Sequence, residues 1–152
     1  MKDFALLGFD MVEIERVARR LARKHSMKLF EVECDFVKQI DFDFECENDV
    51  CRPKDNIDQS KKNNIIYLIR CDCFEDVVAQ FDAIPIIYIK TPKSRLKDLI
   101  DSCDIKYATQ NLAIGYIEYD ELDDFALKNS TYVVESSDDV CNRINKLLYD
   151  EE

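Results

Sequence analysis

The sequence predicts a three-layer α/β fold, with a mainly parallel five-stranded sheet between two layers of helices. Short, nearly unbroken apolar runs such as Asn64-Ile65-Ile66-Tyr67-Leu68-Ile69-Arg70-Cys71 read as strands covered on both faces. Between such runs lie helical stretches of about 8–15 residues, and that alternation implies βαβ units and a parallel sheet. Only two glycines and three prolines interrupt the 152 residues, so regular elements dominate. The length fits one domain, residues 1–152, large enough to bury a core.

The elements follow in order. Residues 3–9 form a buried strand. Residues 11–25 form a helix, with Met11, Val12, Ile14, Val17, Ala18, Leu21 and Ala22 as its apolar stripe. Lys28 to Cys34 alternates as a strand does. Residues 35–63 are the least regular: Phe36, Ile40, Phe42 and Phe44 mark one apolar segment, and 45–64 turns polar around Pro53. This region reads as a loop or a reduced subdomain. Strands then recur at 64–71, 85–90 and 131–135. Helices are expected at 74–81, at 92–103 (with Pro92 in the favoured first turn), at 120–129 and from 137 or 138 to 149.

Composition excludes several classes. With 47% hydrophobic and 35% charged residues the chain is globular rather than disordered. A net charge of −11 argues against a nucleic-acid partner, whose phosphates need clustered Lys and Arg. Arg16, Arg19, Arg20, Arg23 and Lys24 are a local exception on one helix, read first as a solvated face and second as a docking patch. No apolar run reaches the roughly 18 residues that span a bilayer, so no membrane partner is expected. The opening Met1-Lys2-Asp3-Phe4 lacks the layout of a cleaved leader, which makes a cytoplasmic protein the expectation. Seven cysteines, an odd number, favour reduced thiols over a disulfide framework.

The chemistry-bearing segment is the first strand–loop–helix, Phe4 to Arg16. A strand running into a glycine and then a helix is the layout of a phosphate-binding loop. Of the pattern G-x-x-x-x-G-K-[ST] only Gly8 is present. Glu13 stands at the second glycine, Ile14 at the lysine and Glu15 at the hydroxyl residue. With Asp10, three carboxylates occupy a place where a triphosphate needs N–H donors and a cation. Asp10-Met11-Val12-Glu13 also has the D-x-x-E form of a capping box, which would seal the helix's first N–H groups with its own side chains.

Ala5-Leu6-Leu7-Gly8-Phe9-Asp10, then Val17-Ala18-Arg19-Arg20-Leu21-Ala22-Arg23-Lys24 and Met27-Lys28-Leu29-Phe30-Glu31-Val32, form one informative stretch. Ile86-Ile87-Tyr88-Ile89-Lys90-Thr91-Pro92-Lys93-Ser94-Arg95-Leu96, followed by Tyr119-Asp120-Glu121-Leu122 and Thr131-Tyr132-Val133-Val134-Glu135, form another. Together these resemble the shikimate kinases and cytidylate-kinase-like proteins of the P-loop kinase superfamily, across about half the chain. The resemblance implies a P-loop nucleoside-triphosphate-hydrolase-like core, and an ancestry of ATP·Mg²⁺-dependent phosphorylation of a small acceptor. It makes 35–63 a reduced or irregular acceptor-region insertion. It matches Arg95 to the family's strand–helix arginine and leaves Asp72 as a relic of a Mg²⁺-positioning carboxylate. The family's lid arginines have no counterpart, because no arginine lies between Arg95 and Arg143. Phosphoryl transfer is mostly electrostatic stabilisation, so their loss argues against catalysis.

The expectation is therefore a pseudoenzyme: a non-catalytic, kinase-like domain acting through a protein partner or through self-association, with no ATP or Mg²⁺ cofactor. The alternatives are a divergent phosphotransferase, or a small-molecule or metal-binding module using the carboxyl-edge crevice. Zinc candidates are Cys46, Cys51, Cys71 and Cys73, whose C-x₄-C and C-x-C spacings can meet in space. The plainer reading is buried, reduced cysteine. His25, the only histidine, sits at a helix C-terminus and has no second histidine with which to build a relay. The acidic tract 41–49 reads as a solvated edge, or as a site for a divalent cation or basic partner. Tyr107, Tyr116 and Tyr119 read as half-buried packing, or as the lining of a cleft.

Overall fold

A computed structural model describes residues 3–32, 37–40, 44–45, 52–53, 64–81, 83–102 and 106–149. The strands are β1 (Phe4–Gly8), β2 (Lys28–Val32), β3 (Val37–Ile40), β4 (Phe44–Glu45), β5 (Arg52–Pro53), β6 (Ile65–Arg70), β7 (Ile86–Lys90) and β8 (Tyr132–Glu135). The helices are α1 (Met11–His25), α2 (Cys71–Val77), α3 (Lys93–Ser102), α4 (Lys106–Ile117), α5 (Tyr119–Asn129) and α6 (Val140–Tyr149). Six strands form one sheet in the order β3-β2-β6-β1-β7-β8. The five from β2 to β8 run parallel, and β3 adds an antiparallel edge against β2. The expected five-stranded parallel sheet is present, widened by one strand from the region read as a loop. β4 and β5 pair separately.

Alternation along β1 sorts the two cores. Phe4 and Leu6 face α1 and α6, joining Ile14, Val17, Leu21, Val140 and Ile144. Ala5, Leu7 and Phe9 face the opposite layer, joining Phe74 of α2, Leu96 of α3 and Tyr119 and Ala126 of α5. Each fully buried aliphatic side chain contributes roughly 1.5–3 kcal/mol, which is why the β1 register is firm. β2 is likewise buried on both faces: Leu29 joins the first core and Val32 the second.

Three expectations are corrected. Val12 is not part of the apolar stripe of α1; it is 78% exposed. The strand expected from Lys28 to Cys34 is present over Lys28–Val32, and Glu33 and Cys34 lie outside the described residues. The short helix expected at 74–81 starts at Cys71, directly off β6, and residues 78–81 tighten into a 3₁₀ turn. α4 was not expected at all. Its sequence KYATQNLAIGYI is apolar on most sides and shows no stripe, so the usual periodic signal is missing.

α1 ends with Ser26 in the left-handed region at φ 54°, and the N–H groups of Ser26 and Met27 both reach the Ala22 carbonyl. The Ser26 carbonyl accepts from Asn64 Nδ2 at the amino end of β6. A side chain with a Cβ is disfavoured there, and glycine is the usual occupant. Ser26→Gly is expected to stabilise the protein by about 0.5–1 kcal/mol, read as a melting temperature a few degrees higher.

Candidate functional site

Open α/β sheets bind ligands at the carboxyl edge, where neighbouring strands send their helices to opposite faces. That place is the end of β1. α1 leaves β1 for one face, while β6 and β7, its two neighbours, send α2 and α3 to the other. Gly8 pairs with Arg70 and Ile89 across this edge. The segment Phe4 to Arg16, singled out in the sequence, lies at this edge. What occupies that point is different from an open cradle.

The connection from β1 to α1 is only Phe9 and Asp10, since Met11 and Val12 are already helical. Asp10 has extended backbone and caps the helix. Its Oδ1 accepts from the N–H of Val12 at 3.2 Å and of Glu13 at 3.3 Å, and its carbonyl accepts from Ile14 N–H at 3.1 Å. The N–H groups of Val12 and Glu13, donors that an anion could use, thus end on one carboxylate, and the Ile14 bond is the first of the helix itself.

Glu13 completes no capping box. It is 5% exposed, and its carboxylate lies 2.8 and 2.7 Å from Ser136 Oγ, the hydroxyl just after β8. A single hydroxyl proton serves both oxygens, and Arg16 adds only a 3.9 Å contact from an exposed position. Glu15 is not at the edge at all. It pairs with Arg19 at 3.3 Å on the outer side of α1, so two of the three expected carboxylates converge, not three.

Ile14 packs on Gly8. A Cβ built on Gly8 would lie 2.5 Å from Ile14 Cδ1 and 3.0 Å from the Ile89 carbonyl oxygen. On the other face Phe9 fills the space. Its ring stacks on Tyr119 at 4.8 Å and tilts against Tyr88 at 6.4 Å, and a Cβ on Gly115 of α4 would lie 3.0 Å from Phe9 Cδ1. Neither glycine takes positive φ. The chain's only two glycines thus serve close approach, one on each side of the Gly8–Phe9 bond. The Phe9–Gly115 contact had no local signal in the sequence; only the scarcity of glycine pointed to either position.

Hydrogen bonds fasten this plug. Tyr119 Oη donates to the Thr91 carbonyl at 2.6 Å, and Tyr88 Oη donates to Asp123 at 2.6 Å. Asp123 also holds Lys90 at 3.4 Å, and Lys93 lies over the Tyr116 ring at 5.3 Å. Tyr119 and Tyr116 are thus packing elements of the plug, whereas the Tyr107 side chain lies outside the described residues. Thr91 Oγ1, in a residue 1% exposed, has no hydrogen-bond partner.

The remaining candidates do not gather here. Asp72 lies in the first turn of α2, its side chain outside the described residues, and Arg95 is exposed on α3. Arg70, at the carboxyl end of β6, places Nη2 3.5 Å from Cys73 Sγ. Cys73 is 4% exposed, Cys71 begins the same helix, and Cys46 and Cys51 lie outside the described residues, as does the acidic tract 41–49 apart from the backbone of 44–45. Among the described residues no three His, Cys, Asp or Glu side chains are grouped as metal ligands. His25 ends α1 with Nε2 2.8 Å from Asn145 Oδ1 of α6, a contact that joins two helices. Away from this edge, burial raises the Tyr67 hydroxyl above its ordinary value of about 10, and the nearby Asp3 carboxylate adds to the rise. Among the described residues no helix is long and apolar enough to cross a membrane. No protein-family model matches the chain, and no curated protein matches it.

Proposed function

We propose that this chain is a non-catalytic, kinase-like domain that acts as a protein-interaction or regulatory module. The observation that carries the reading is the filled carboxyl edge of β1. Asp10 takes the helix donors, Ile14 and Phe9 take the volume, and Glu13 places a buried carboxylate where a polyphosphate would lie. Phosphoryl transfer requires cations aimed at the transferred group. At this edge Lys90 is held by Asp123 and Lys93 lies over Tyr116, while Arg95 points into solvent. The P-loop kinase resemblance supports the ancestry of the scaffold, and the five parallel strands are consistent with it. One atom favours a small-molecule module instead: the unpartnered Thr91 Oγ1 beside the plug.

Thermal melting with ATP and Mg²⁺ tests the reading. A ligand at about 100 times its dissociation constant stabilises a fold by roughly 2.7 kcal/mol, worth several degrees in a protein of this size. The expected result is no shift with millimolar ATP·Mg²⁺. A shift of several degrees, abolished by removing Mg²⁺, would restore the phosphotransferase reading.

A further inference from the structure

The carboxyl ends of β1, β7 and β8 lie side by side, with β7 in the middle. Gly8, Ile89 and Val134 stand in register across them, and Ile89 and Val134 face the layer of α1. Two residues further on, the three chains reach Asp10, Thr91 and Ser136. The β7–β8 ladder extends that far: Ser136 N–H donates to the Lys90 carbonyl at 2.9 Å, which sets Thr91 beside Ser136. Lys90 reaches Asp123 of α5 in the opposite layer, so Thr91, the next residue and held extended by Pro92, faces α1. Glu13 belongs to α1, which follows β1, yet its carboxylate meets Ser136 at the end of β8. It therefore passes over the end of β7, where Thr91 lies. Thr91 is 1% exposed, and among the described residues its Oγ1 has no hydrogen-bond partner, Glu13 and Ser136 included.

Oxygen dominates this spot. The N–H groups of Val12 and Glu13 are held by Asp10 Oδ1, so the first turn of α1 offers carboxylate here instead of donors. Asp10 and Glu13 are 9% and 5% exposed. Arg16, 68% exposed and 3.9 Å from Glu13, offsets at most one of the two charges. Ser136 has a single proton for two oxygens 2.8 and 2.7 Å away. Buried charge that the protein does not pair internally calls for a cation, and an all-oxygen donor set selects a hard one.

We propose that Glu13, Ser136, Thr91 and Asp10 form a Ca²⁺ site that ties the start of α1 to the ends of β7 and β8. Glu13 Oε1, Glu13 Oε2 and Ser136 Oγ make a triangle small enough for one ion to touch all three at about 2.3–2.6 Å, once the hydroxyl proton turns away. Thr91 Oγ1 adds a fourth oxygen from the sheet side. Asp10, with Oδ1 committed to the helix, has Oδ2 for a fifth. Two features select Ca²⁺ over Mg²⁺. Glu13 presents both oxygens to one side, the bidentate mode that Ca²⁺ accepts. Mg²⁺ keeps several waters, and side chains only 1%, 5% and 9% exposed leave them little room. The site does not rest on the non-catalytic reading. An ATP-induced shift in melting would overturn that reading and leave Ca²⁺ binding, measured without nucleotide, to be judged separately.

Calorimetric titration and thermal melting of the full chain, stripped of metal and free of nucleotide, test the site. Ca²⁺ should bind with a dissociation constant of about 0.1–1 mM, the weak end of its range, as two carboxylates allow. At about 10 mM it should raise the melting temperature by a few degrees. Mg²⁺ should bind at least about tenfold more weakly. Thr91→Val removes the hydroxyl and keeps the shape. Without Ca²⁺ this variant should melt at or above the wild-type temperature, because an unpartnered buried hydroxyl is lost. Its affinity for Ca²⁺ should nevertheless fall about fivefold or more, which a purely structural threonine would not explain. Glu13→Gln keeps an acceptor for Ser136 and should abolish binding. A wild type that ignores Ca²⁺ up to about 10 mM would overturn the proposal and leave Thr91 to a buried water. So would Ca²⁺ binding that both variants leave intact, which would put the ion among other acidic residues. Mg²⁺ binding as tightly as Ca²⁺ would overturn it too.

Discussion

Gly8→Ala is expected to destabilise the protein by about 2 kcal/mol, lowering the urea midpoint by roughly 1 M. Backbone propensity alone gives the opposite sign. Alanine in a strand interior is favoured over glycine by about 0.5–1 kcal/mol, and Gly8 has no positive φ to justify the glycine. The geometry overrides this, because the new methyl would meet Ile14 Cδ1 at 2.5 Å and the Ile89 carbonyl oxygen at 3.0 Å. The first obstacle is the end of a side chain and can be removed; the second is backbone. Ile14→Val deletes Cδ1 and by itself should cost about 1 kcal/mol. In the Gly8→Ala background the same deletion should cost close to nothing, a coupling of about 1 kcal/mol. Strictly additive effects would show that Ile14 does not dictate Gly8. The glycine would then need another explanation, such as its descent from a phosphate loop.

This pair also shows how far the sequence could be read. Gly8 and Ile14 stood out because their spacing could be compared with a known pattern. The contacts that this segment makes were only half legible. Asp10 as a cap is a local property, acting on N–H groups two and three residues away, and it was anticipated. Glu13 was expected to reach back to Asp10, but its partner Ser136 is 123 positions along the chain. No local rule reports such a contact. The same limit explains Phe9, whose neighbours Tyr88, Gly115 and Tyr119 belong to β7, α4 and α5.

The elements show a similar division. β1, β6 and β7 were legible because strands buried on both faces must be apolar throughout, and α1 because one face is apolar and the other basic. α4 was not, since it has no such contrast to display. α2 was displaced because Cys71-Asp72-Cys73 carries no start signal; Arg70 at its N-cap makes no side-chain cap.

Phe9→Ala should have the largest effect of any change at the edge, about 3–5 kcal/mol, seen as a melting temperature lower by roughly 10 °C. The ring is 5% exposed and lies among Tyr119, Tyr88 and Gly115, so its removal leaves a void that rigid neighbours cannot readily close. A second substitution checks the cause. Gly115→Ala should gain about 1 kcal/mol from helix propensity in any ordinary helix. In the wild type that gain should be cancelled or reversed, because the new Cβ sits 3.0 Å from Phe9 Cδ1 and the ring is backed by two tyrosines. In the Phe9→Ala background the obstacle is gone, and Gly115→Ala should stabilise by the full amount. Equal effects in both backgrounds would mean that Phe9 is not what keeps position 115 a glycine. Phe9→Ala also separates volume from electrostatics at the edge. It makes room beside β1 but frees no donor, since the N–H groups of Val12, Glu13 and Ile14 stay on Asp10. The enlarged edge should therefore take up an apolar probe such as benzene while still ignoring ATP.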